Sequence, residues 1–147
     1  MTAIDALPIL ARFDDVRRKR IFAWIVDIVI VALLTLGASL VIGVLGLFTF
    51  GLAWMLYGWV GLIVAVLYSG ITIGGRRQAT VGMALMGLVF RVDAGGPATF
   101  LYGAAHMLLF YVSMSLLTPL ILLVSLFSPR KRLLHDMVLG VVIENLV

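Results

Sequence analysis

The chain contains no cysteine, which excludes disulfides and thiolate metal sites and says nothing of redox compartment. Charge is also scarce. Asp, Glu, Lys and Arg make up 12% of the 147 residues, against about 25% in an ordinary soluble domain. Such a chain cannot cover a folded surface with polar groups. There are two histidines and no third ligand at zinc spacing from them. Gly74-Gly75 and Gly95-Gly96 lack the strand–turn–helix frame of a phosphate-cradling loop. No serine, histidine and acid set converges on a nucleophile. Neither enzymatic activity nor a cofactor is expected.

What is present is apolar: 63% of residues are hydrophobic and the mean hydropathy is +1.20. The expected solvent is a lipid bilayer. Eleven Lys and Arg outweigh seven Asp and Glu for a net charge of +4. These bases cluster at the edges of apolar runs, where they set membrane topology. Nucleic acid is not expected as a partner, because aromatic and basic residues do not interleave as single-strand binding requires.

Residues Met1–Asp15 read as a partly ordered interfacial segment, with Ile4, Leu7, Leu10 and Phe13 at helical spacing, or else as a simple tail. The apolar run after Arg20 extends to about Phe50, too long for a signal-peptide core, so an anchor that stays is expected. A first spanning helix is predicted over about 21–48 and a second over 52–73, joined by a short turn. Gly37, Gly43 and Gly46 thin the first helix for close approach of a neighbour. Trp54 and Tyr57 fit an interfacial belt at the turn. Arg17–Arg20 before the hairpin and Arg76-Arg77 after it then lie on one side, with the amino terminus cytoplasmic.

The next segment changes texture. Thr80–Met86 suits a short interfacial helix, and Gly87–Val92 has strand composition before the turn cluster Asp93–Pro97. The third apolar stretch, 100–127, is too short for two full crossings, yet Arg130-Lys131-Arg132 follows it. Ser113, Ser115, Thr118 and Pro119 suit a bend or re-entrant return. Gly140–Val147 is strand-like, and Gly87–Val92 is its one plausible partner. Pairing would require the chain to return to the side it left. A single crossing is the alternative. The expected fold is therefore an all-α membrane protein in one domain, with a helical hairpin, a third bent or re-entrant apolar helix, and short cytoplasmic strand-like segments.

Asp27 is the sole acid within any apolar stretch, where insertion costs about 2.5–3.5 kcal/mol. Seven positions separate it from Arg20, or roughly 10 Å of helical rise and about 20° of rotation. The two share a face. Asp27 is open to two readings: a proton or cation carrier, or a carboxylate that fixes helix packing through Arg20, His106 or helix hydroxyls. Arg20 is correspondingly a partner of Asp27 or Asp136, or a snorkelling interfacial base. His106 is a proton relay or a hydrogen-bonded packing residue. Asp136 caps the last helix or pairs with Arg20; adjacent His135 does not share its face.

The pattern Arg20-x-x-Ala23-x-x-x-Asp27, with Leu134-His135-Asp136 near the carboxyl end, resembles the RDD family of membrane proteins, named for one arginine and two aspartates. By match these are Arg20, Asp27 and Asp136. Ala79-Thr80-Val81-Gly82 and Gly87-Leu88-Val89 resemble the family's Thr-x-Gly-Lys stretch and Gly-Leu-x-Val strand. Met83 stands where a lysine is expected, and His106 near where an arginine is frequent. The resemblance implies a bacterial inner (cytoplasmic) membrane protein, with transport of unidentified ligands suggested for the family. The leading expectation is transport of a small cation or proton at a site of Arg20, Asp27, Asp136 and His106, in a homo-oligomer because so few helices enclose a pathway. The alternative is a non-catalytic accessory or assembly subunit of a larger membrane complex.

Overall fold

A computed structural model describes residues 15–93, 95–117 and 134–146. The interfacial segment expected before Asp15, the bend expected at Thr118-Pro119 and the basic cluster Arg130–Arg132 lie outside the described residues.

Helix α1 runs unbroken from Val16 to Phe48. Its 33 residues rise about 50 Å, and the basic cluster occupies its opening turns instead of preceding it. The Thr49 amide and hydroxyl both donate to the Leu45 carbonyl, closing the helix before a turn with positive φ at Phe50 and Gly51.

The second element departs from expectation. Residues 52–73 form a 3₁₀ segment, Leu52–Gly58, and helix α2, Val60–Ile73, bent by 65° relative to each other. Contacts with α1 account for the separate course of the first piece. The Trp54 indole donates to the Gly43 carbonyl at 3.3 Å, and the Tyr57 hydroxyl donates to the Ser39 carbonyl at 3.0 Å. A Cβ at Gly46 would run into the Trp54 ring. The glycine-thinned half of α1 thus receives aromatic side chains from the turn, where close approach of a regular helix was the expectation. Gly58 ends the 3₁₀ piece, a residue with little helical preference of its own.

Helix α3, Val81–Leu85, strand β1, Leu88–Val92, helix α4, Phe100–Leu117, helix α5, Leu134–Leu139, and strand β2, Val141–Asn145, complete the described chain. Helix α4 lies on α2, where a Cβ at Gly103 would collide with the Ser69 carbonyl and one at Gly70 with the Phe100 ring. The strands pair antiparallel with Leu88 opposite Asn145 and Val92 opposite Val141, joining the two segments that share strand composition. Strand β1, before the third apolar stretch, and strand β2, after it, are thereby held side by side.

The core gathers around this strand pair. Val16 and Ala23 of α1, Ile73, Met83, Leu88, Phe90, Val141 and Ile143 are buried in one cluster. Beyond it the surface of α1 is apolar and open, with Leu33, Leu36, Leu40, Leu47 and Phe48 all exposed. Helix α1 has the length and hydropathy to cross a membrane, and the bent pair meets that test if counted as one span.

Candidate functional site

The face shared by Arg20 and Asp27 is the one buried by returning segments, but two different segments cover it. Helix α3 crosses α1 at Ala23–Asp27. Ala23 is buried, and a Cβ at Gly82 would collide with the Ala23 carbonyl and the Asp27 carboxyl carbon. Only a glycine lets the backbones meet at this separation, which brings the Gly82 amide to Asp27 Oδ1 at 2.8 Å.

Two hydroxyls complete the arrangement. Tyr68 of α2 donates to Asp27 Oδ1 at 2.6 Å and accepts from the Val81 amide at 3.1 Å. Thr80 donates to Asp27 Oδ2 at 2.6 Å and accepts from the Met83 amide at 3.1 Å as the N-cap of α3. The first amides of a helix have no partners within it. Here Val81, Gly82 and Met83 all find acceptors, one in the carboxylate itself and two in hydroxyls that the carboxylate orients. Asp27 thereby ties α1, α2 and α3 together. Its partners are neutral. Expected pairing with Arg20 or His106 is replaced by the third option, helix hydroxyls, joined by a backbone amide.

Arg20, two turns nearer the amino terminus, meets the other visitor. Its Nη2 lies 2.7 Å from Oδ2 of Asp136 on α5, whose side chain is fully buried. His106 of α4 faces the opposite oxygen, with Nδ1 at 3.5 Å from Asp136 Oδ1. Phe90 of β1 packs its ring edge-on to the imidazole at a centroid separation of 5.3 Å. One buried carboxylate thus holds α1, α4 and α5 against the sheet. The roughly 10 Å between Arg20 and Asp27 along α1 is the height of two packing layers, which is why a shared face does not make a pair.

A model of the RDD family matches residues 17–140. The chain belongs to the RDD family. The match agrees with the resemblance carried by Arg20, Asp27 and Asp136. Comparison with curated proteins and with solved structures finds no match. Within this RDD chain the arginine and two aspartates form two neighbouring centres, Arg20–Asp136–His106 and Asp27–Tyr68–Thr80–Gly82. Met83, at the position where a lysine was expected, is buried in the apolar core, so this chain packs a thioether there.

Sequence reasoning missed Tyr68 and did not connect Thr80 and Gly82 to Asp27. A signal existed. Thr80 followed by Gly82 at the mouth of a short helix marks an N-cap and a point of close approach, and Asp27 was a buried acceptor in need of donors.

Proposed function

We propose that this RDD-family membrane-associated domain is a multi-pass integral membrane protein whose ionisable residues build the fold, and that it acts as an accessory or assembly subunit through contacts of its apolar helices. The observation that carries this reading is the occupancy of Asp27. An ionised carboxylate offers about four lone-pair sites, and neutral donors take three of them. Two of those donors also hold amides of α3. Freeing the carboxylate to coordinate a cation would unfasten that helix. Among the described residues, no group of three His, Asp or Glu side chains is placed to hold a metal ion.

Transport of a small cation or proton is the second reading, and one observation favours it: the partners of Asp27 bear no positive charge, so its ionised form is uncompensated locally. The amino terminus is assigned to the cytoplasmic side of a bacterial inner membrane. That assignment rests on the excess of bases in Arg17–Arg20 and Arg76-Arg77 and on the RDD family resemblance. The bases gather at the end where the strands pair. Lys19 Nζ donates to Asn145 Oδ1 at 2.6 Å, and the following residue, Leu146, lines one recess with Arg76 and Arg77.

Flux and co-purification decide between the readings. The accessory role predicts a stable partner retained by the purified protein and no cation-dependent proton flux in proteoliposomes. Flux by the wild type, lost in an Asp27→Asn variant that still inserts and folds, would establish the transport reading instead.

A further inference from the structure

We infer that Arg76 and Arg77 form the head-group site of an anionic phospholipid. The recess they line, of about 340 Å³, has an apolar floor of Ala79, Ala84 and Leu88, with the exposed Leu146 at its rim. Both arginines are exposed, and neither has an ion-pair or hydrogen-bond partner among the described residues. Of the other described bases, Arg20 pairs with Asp136, Lys19 with Asn145 and Arg91 with Glu144, and Arg18 lies over the Phe22 ring.

The loop carrying the two arginines is fixed. Gln78 takes a left-handed conformation, its amide donates to the Gly75 carbonyl, and its carbonyl accepts from the Phe90 amide at 2.8 Å on the outer edge of β1. The far wall is tied down by the Leu146 amide donating to the Gly87 carbonyl at 2.8 Å. Two guanidinium groups over an apolar floor match a phosphate with an acyl chain attached. Guanidinium binds phosphate oxygens in a fork, and the floor has no function toward a free anion. No acidic side chain lines the recess among the described residues. Placement at the head-group level rests on the membrane reading above, since Arg76 stands three residues past the end of the apolar α2.

Native mass spectrometry of the full chain released from detergent tests the site, with phosphatidylglycerol, phosphatidylcholine and inorganic phosphate as separate probes. The wild type is expected to retain phosphatidylglycerol in preference to phosphatidylcholine. In R76Q/R77Q the preference falls by about twenty-five-fold, at roughly five-fold per arginine, and in R91Q it does not change. Leu146→Glu, which sets a carboxylate at the exposed rim, lowers the preference without touching either arginine. Equal retention of the two lipids, an unchanged preference in R76Q/R77Q or in Leu146→Glu, or full displacement of the lipid by inorganic phosphate at equal concentration would each overturn the proposal. Carbonate extraction of native membranes separates this result from the membrane reading: a chain that is washed out overturns that reading, whereas a chain that stays but shows no lipid preference overturns the site alone.

Discussion

Asp27 and Asp136 bind the same helix to the rest of the molecule by opposite means. Asp136 is fully buried against a guanidinium and an imidazole, so its contribution is inseparable from charges that would be stranded without it. Asp27 is partly buried and takes neutral hydroxyl and amide donors, the two hydroxyls each holding an amide of α3 as well. Loss of Asp136 removes a buried counter-charge from Arg20, whereas loss of Asp27 leaves hydroxyls and amides that water can reach more cheaply. Two acids that look equivalent in a family pattern should therefore fail differently.

The largest expected effect is that of Asp136→Ala. Removing one member of a buried ion pair costs about 3–5 kcal/mol, and Asp136→Asn should recover little of it because an amide brings Arg20 no negative charge. Unfolding in mixed micelles followed by helical circular dichroism measures both variants. A cost below that of Asp27→Asn would overturn the comparison. Asp27→Asn keeps the shape of the acceptor, and loss of hydrogen bonds to a charged group sets its cost at about 1.5–3 kcal/mol.

Gly82→Ala sharpens the contrast from the other partner's side. The added methyl must displace the Ala23 carbonyl or the Asp27 carboxyl group, and overpacking of this kind costs about 1–3 kcal/mol. Its effect should overlap that of Asp27→Asn, so that the double variant loses less than the sum of the two. Full additivity would mean that the glycine serves a different contact. Arg91→Gln provides the lower bound: with Arg91 and Glu144 3.6 Å apart and the arginine 55% exposed, the change in stability should stay below about 0.5 kcal/mol.

The two strands, the short helix at 81–85, the long first helix and the family all follow from composition, spacing and the Arg20, Asp27 and Asp136 pattern. The Arg20–Asp136 pair was one of three stated options for Arg20 and one of two for Asp136, and the strand pairing made it geometrically available. Two features were not legible. The 65° bend after Gly58 depends on where the Trp54 and Tyr57 side chains find acceptors on α1, a long-range fact that local hydropathy does not encode. The donors to Asp27 come from 41, 53 and 55 residues away, so periodicity along α1 identified a buried face without identifying its occupants. The same-face argument selected the right surface and left the pairing open, because which segment packs at each of the two heights, roughly 10 Å apart, is set by parts of the chain far from α1.

The continuity of α1 has a mechanical consequence. One rigid rod carries both the open apolar surface from Leu33 to Phe48 and the buried residues Val16 and Ala23, with no hinge between them. A twist imposed on the apolar half by a neighbouring helix is delivered undamped to the other half. Arg20, Ala23 and Asp27 would swing together as teeth on one shaft, and the seams with α5 and α3 would have to slip in step.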